Sequence, residues 1–128
     1  MDVLGLCSST GSNKIEAWLA TLPDENRVRA RLLAMLLYQQ YQPLIRGKNF
    51  ESLQGVGMFE IKLSMSVEYR LLAWYGPGQK EVTLLAGARE HNNQYRPPNF
   101  FQLADRRRDD IVADRRRVTP TCLLPKNN

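Results

Sequence analysis

Met58-Phe59-Glu60-Ile61-Lys62-Leu63 is followed by Glu68-Tyr69-Arg70-Leu71-Leu72-Ala73-Trp74-Tyr75 and, past Gly76-Pro77-Gly78, by Glu81-Val82-Thr83-Leu84-Leu85-Ala86-Gly87-Ala88. The first run alternates apolar and polar residues, and the second does so less strictly. That period of two marks a strand, and the short links predict a three-stranded antiparallel meander. Residues two apart share a face. One face therefore gathers Phe59, Ile61, Leu63, Tyr69, Leu71, Ala73, Val82, Leu84 and Ala86, and should meet helices. The other gathers Glu60, Lys62 and Arg70. If the third strand runs on, Arg89 and His91 join that polar face, on the side of Leu85 and Gly87.

Helical periodicity brackets the meander. Ile15, Trp18, Leu19 and Leu22 form an i, i+3, i+4, i+7 stripe that Ser12 is placed to cap and Pro23 ends. Asp24 is placed to cap a second helix carrying Val28, Leu32, Met35, Leu36 and Tyr38, which Pro43 stops. Arg27, Arg29 and Arg31 crowd its first half, where positive charge opposes the helix dipole. Arg46-Gly47-Lys48-Asn49 reads as loop. After Pro97-Pro98, the residues Phe100, Leu103, Ala104, Arg107 and Ile111 mark one face of a last helix. Asp2 to Cys7 suits a short first strand, followed by a turn-rich link from Ser8 to Ser12. The expectation is an α+β fold, a small antiparallel sheet with an N-terminal helical hairpin and a C-terminal helix. Residues 1–117 form one domain, and 118–128 are expected as a frayed tail.

Composition narrows the function classes. The chain has 128 residues, 43% hydrophobic and 24% charged, which suits one globular core and excludes a disordered tail. No apolar run reaches the roughly 20 residues of a membrane span. The first residues lack the basic-then-apolar order of a secretory leader, so a cytoplasmic location is expected. Cys7 and Cys122 are too far apart in sequence for a metal motif, and His91 is the lone histidine, so no metal and no other cofactor is expected. Thirteen Arg and five Lys against thirteen acids give +5. The second half carries +4 of it, with eleven basic and seven acidic side chains. Arginine forks match phosphate oxygens, so nucleic acid is the expected partner.

The polar sheet face is the chemical candidate. Cleaving RNA without a metal needs a base for the 2′-hydroxyl, cations for the phosphate charge and an acid for the leaving oxygen. Glu60 and His91 offer the proton transfers, and Arg70, Lys62 and Arg89 the cations. Arg96 adds a phosphate contact, and Tyr95 stands where it can stack on a base. The same side chains on a solvated face would form ordinary salt bridges of little energy. The runs Asp105-Arg106-Arg107-Arg108-Asp109-Asp110 and Asp114-Arg115-Arg116-Arg117 have i+3 and i+4 spacings that allow self-pairing.

Segment order and local motifs resemble the HigB-like, phage-derived branch of the RelE/ParE toxin superfamily. Gly55-Val56-Gly57-Met58-Phe59-Glu60-Ile61-Lys62 resembles that family's "G-[LM]-[WF]-E-[LI]-[RK]" strand. Tyr69-Arg70-Leu71-Leu72-Ala73-Trp74-Tyr75 resembles "Y-R-[VIL]-[LI]-Y", and Val82-Thr83-Leu84-Leu85-Ala86-Gly87 resembles "[VI]-x-L-L-H-G". Phe101-Gln102-Leu103-Ala104-Asp105-Arg106-Arg107 resembles the closing "I-x-x-A-x-x-R" helix. The resemblance covers about residues 10–114.

What the resemblance implies is a toxin of a toxin–antitoxin pair. It would cleave mRNA on the ribosome without metal, and a helix-turn-helix antitoxin would neutralise it. Glu60 and Lys62 match the "E-[LI]-[RK]" positions, and Arg70 matches the strand arginine linked to phosphate binding. Where the family has "F-x-K-K-T", this chain has Ala88-Arg89-Glu90-His91-Asn92, with His91 in the place of a lysine. The alternatives on the same fold are a ParE-like inhibitor of a protein target such as gyrase, without catalytic residues, and a non-toxic nucleic-acid- or protein-binding domain.

Overall fold

The computed structural model describes residues 2–6, 13–40, 50–53, 57–78 and 81–124. Strand β1 (Asp2–Leu6) precedes helices α1 (Lys14–Ala20) and α2 (Glu25–Gln40). Strands β2 (Phe50–Leu53), β3 (Met58–Ser64), β4 (Glu68–Tyr75), β5 (Glu81–His91) and β6 (Gln94–Arg96) follow. Helix α3 (Phe100–Ala113), a 3-10 turn (Arg115–Arg117) and β7 (Val118–Pro120) complete the order. Ser8 to Ser12 with its cap, Cys7, the Pro43 stop, the Arg46–Asn49 loop and the side chain of Tyr38 lie outside the described residues.

The expected α+β fold is present: an N-terminal helical hairpin, an antiparallel meander and a C-terminal helix. The sheet runs β2-β3-β4-β5-β1-β7, and β6 pairs with β5 off that path. Strands β2 to β5 are antiparallel, whereas β1 lies parallel to the first half of β5. Asn13, not Ser12, caps α1: its side-chain oxygen accepts the Ile15 and Glu16 backbone N–H groups, each at 3.0 Å. The backbone carbonyl of Asp24 opens α2 by accepting from Val28 N, and its carboxylate accepts the Tyr69 hydroxyl at 2.7 Å.

The hairpin buries the expected stripes. Ile15, Leu19, Val28, Leu32 and Leu36 pack on Phe59, Ile61, Leu63, Tyr69, Leu71, Ala73, Val82 and Leu84. Trp18 lies over Gly87, where a Cβ would come within 2.3 Å of its ring, so only glycine lets α1 sit this close to β5. Ala86, expected on this face, is not there. It joins Met58, Leu72, Leu85, Ala88, Phe100, Ala104 and Ile111 in a second core under α3. Helices therefore cover both faces of the sheet, and α3 roofs part of the face expected to be polar.

The segment after Arg117 corrects the expected tail. β7 pairs antiparallel with β1, Thr121 is buried, and Leu123 enters the hairpin core. The Cys122 carbonyl accepts from the guanidinium of Arg29, which is wholly buried. Arg29 also holds Glu16 at 2.6 Å and Glu25 at 2.8 Å. One arginine thus ties α1, α2 and the C-terminal segment together, which accounts for a cation in the first half of α2.

Candidate functional site

A β-bulge decides which side chains meet. The β4–β5 register shifts between Leu72 and Ala73, so Ala73 opposes Leu84 while Leu72 opposes Ala86. Leu85 is the extra residue. An extra residue reverses which face the following side chains take. Beyond it, Gly87 opposes Leu71, Ala88 opposes Arg70, Arg89 opposes Tyr69 and Glu90 opposes Glu68. Directly opposed residues share a face. The guanidinium of Arg107 donates to the Leu85 carbonyl at 2.8 Å, and burial lowers its pKa. The α3 helix thereby grips the bulge.

Simple alternation predicts Arg89 and His91 on the face of Glu60, Lys62 and Arg70, but the bulge takes them off it. Glu90 is on that face. Lys62 opposes Arg70, Glu60 opposes Leu72, and Glu51 on β2 opposes Glu60. Tyr95 on β6 opposes Glu90. This end of the α3-side face therefore carries Glu51, Glu60, Lys62, Glu68, Arg70, Glu90 and Tyr95.

Glu60 is its most unusual member. It is buried at 5% exposure, and that burial pushes its pKa up, against the pull of Lys62 and Arg70. The Tyr95 hydroxyl donates to Glu60 Oε2 over a long 3.4 Å. Burial, then the Glu60 charge, raises the tyrosine's own pKa. The Tyr95 ring stacks on Phe100 with centroids 5.3 Å apart and meets Phe101 edge-on at 5.4 Å. One face of its ring thus packs on Phe100, and its hydroxyl is turned to Glu60.

The cations here are paired. Arg70 Nη1 lies 3.0 Å from Glu68 Oε2, and its Nε lies 3.0 Å from Glu90 Oε2. Lys62 Nζ lies 2.9 Å from Glu51 Oε2. Arg70 and the Ser64 hydroxyl hold the Glu68 carboxyl below its usual range. Four carboxylates face two cations. Sequence reasoning missed Glu90, because the bulge hides among the consecutive apolar residues Leu84, Leu85 and Ala86. It missed Glu51 because β2 is a four-residue strand with no long alternation.

Arg89, His91 and Arg96 meet instead on the hairpin side of the sheet. Arg89 and Arg96 are directly opposed across β5 and β6, and with His91 they line a cleft of about 260 Å³. Asn92 and Asn93, at φ 52° and 62°, turn the chain between the two strands. Two successive positive φ values are the mark of a type I′ hairpin, which asparagine tolerates. Three of the six arginines in the two runs pair with neighbouring acids: Arg108 with Asp105 and Asp109, Arg117 with Asp110, and Arg116 with Asp114.

Comparison with models of known protein families, with curated proteins and with solved structures finds no match. Among the described residues no group of His, Cys, Asp and Glu could hold a metal ion, and no helix is long and apolar enough to cross a membrane. Cys122 is a free, exposed thiol.

Proposed function

We propose that the protein is a toxin of a toxin–antitoxin pair that cleaves mRNA on the ribosome, in the cytoplasm, with Glu60 at the centre of its site. The observation that carries this reading is Glu60 itself. A carboxyl with a raised pKa, within reach of a tyrosine hydroxyl and flanked by Lys62 and Arg70, is a set of groups that can move protons beside a phosphate. Glu60 takes the proton of the attacking 2′-hydroxyl as that oxygen bonds to phosphorus. The P–O5′ bond breaks, and the proton taken up by Glu60 passes through the Tyr95 hydroxyl to the leaving oxygen. Arg70 and Lys62 neutralise the charge that builds on the phosphate oxygens. For this, Glu68, whose side chain is 43% exposed, releases Arg70 when substrate arrives. The element order and the strand motifs around Glu60 and Arg70 support the family reading, and with it a helix-turn-helix antitoxin as partner. His91 has no part in this chemistry, because it stands on the other side of the sheet.

A second reading has an observation of its own. Four carboxylates against two cations make a poor resting site for RNA, and a ParE-like protein inhibitor or a non-toxic binder needs no catalytic residue. The test is brief induction of the chain in a bacterium with mRNA 5′ ends mapped. New cuts within translated regions that vanish with Glu60→Gln support the endoribonuclease. Growth arrest without cuts moves the reading to a ParE-like target. Normal growth with intact mRNA moves it to a non-toxic binder.

A further inference from the structure

We propose that the Arg89–His91–Arg96 cleft is a phosphodiester-binding subsite, which anchors single-stranded RNA on the side of the sheet opposite Glu60. Two guanidinium-bearing residues stand directly opposed across β5 and β6. Like charges in that position repel. Elsewhere in the sheet and the hairpin the described pattern differs: Arg29, Arg70 and Lys62 each hold a carboxylate at 2.6–3.0 Å. Among the described residues no carboxylate pairs with Arg89, His91 or Arg96. The acid of this hairpin, Glu90, points to the other face with Tyr95. The side chains are exposed, and they surround a cleft of about 260 Å³. That is below the size of pockets that enclose whole drug-like ligands, and it suits a phosphate group. Two guanidinium forks match the paired oxygens of a phosphate better than point charges do. The ligand we assign is a backbone phosphate, because among the described strands β6, three residues long, pairs with β5 alone and leaves room for a polymer beside it. A nucleic-acid chain can cross that short edge, one phosphate held in the cleft and a later one presented to Arg70 and Glu60. The choice of RNA rests on the endoribonuclease reading; the anion site rests on the cleft alone.

The experiment is fluorescence anisotropy of a short labelled 2′-O-methyl oligoribonucleotide with the full chain, titrated across about 50 to 200 mM salt. The probe has no free 2′-hydroxyl, so binding is read without cleavage. Replacing both arginines, Arg89→Gln with Arg96→Gln, should weaken binding at least about tenfold. The slope of log affinity against log salt should flatten by about 0.7 for the one phosphate lost. Arg96→Glu, which sets a carboxylate against Arg89, should abolish binding while raising thermal stability, so loss of binding will not be confused with unfolding. Unchanged affinity and slope in the double variant overturn the proposal. So does equal competition by polyglutamate, or dependence on these residues for inorganic phosphate alone. If the parent binds the probe through Arg89 and Arg96 but cuts no RNA, the subsite stands and the endoribonuclease reading falls. If the parent cuts RNA and the double variant binds as the parent does, the reverse holds.

Discussion

Arg29 and Arg70 each grip two carboxylates at nearly the same distances, yet their surroundings give them opposite roles. Arg29 is wholly buried between Glu16, Glu25 and the Cys122 carbonyl, and it joins the two consecutive helices to a segment 93 residues further along the chain. Arg70 lies on the α3-side sheet face with Glu68 and Glu90; its side chain is 12% exposed and that of Glu68 43%. An ion pair inside the protein cannot be exchanged for water, so breaking it leaves charge stranded. The Arg70–Glu68 pair, with its carboxylate exposed, opens at less cost, and the guanidinium can then change partners. The same residue type is a structural clamp in one place and an available cation in the other.

The largest effect should come from the buried member. Arg29→Met leaves Glu16 and Glu25 without their cation and should cost about 3 kcal/mol or more of stability by urea titration. A loss below about 1 kcal/mol would show that the two arginines do not differ as described. Next, Glu60→Gln should lower RNA cleavage by about 100-fold or more, equivalent to about 2.7 kcal/mol, in a single-turnover assay. The same variant sharpens the electrostatic account. Burial raises the Glu60 pKa, so its ionisation in the folded state opposes folding at neutral pH. Glu60→Gln should therefore stabilise at neutral pH, and the gain should fade as pH falls far enough to protonate Glu60 in folded and unfolded chains alike.

Tyr69→Phe removes a buried hydroxyl from the Asp24 carboxylate and should cost about 1–2 kcal/mol. The Tyr69 pKa is pushed up to about 12, first by burial and then by that hydrogen bond. The stabilisation is complete below the ordinary tyrosine pKa and is lost as pH rises toward the folded value. Alkaline unfolding of the parent should thus steepen between about pH 10 and 12 and be shallower in Tyr69→Phe. The smallest effect on stability should be that of Arg70→Gln, under about 1 kcal/mol by the same urea titration. Its cleavage should nonetheless fall sharply. A variant that unfolds as readily as Arg29→Met would make Arg70 a second clamp and remove it from the site.

Much of this was legible in the residues. Ile15, Leu19, Val28, Leu32 and Leu36 carry the helical period, and Phe59, Ile61 and Leu63 carry the strand period, because each element buries one face against the other. Glu60 and Arg70 were recognisable as charges interrupting an apolar alternation. Arg29 was legible only as an anomaly, a cation at the wrong end of a helix. Its explanation lay in Glu16 and Cys122, which no local pattern connects to it.

The helical hairpin, the three long strands, α3 and the segregation of apolar from charged positions were readable from the residues, since these follow from side-chain periods of 3.6 and 2. Which charges meet was set by packing between distant elements. One extra residue at Leu85 reverses every later side chain on β5, sending Arg89 and His91 to one face and Glu90 to the other. A run of consecutive apolar residues conceals such an insertion, because its position is set by packing against α3 and by the Arg107 contact rather than by any period. The pairing of β7 with β1 was likewise hidden, since three residues are too few to show an alternation and their partner lies at the other end of the chain.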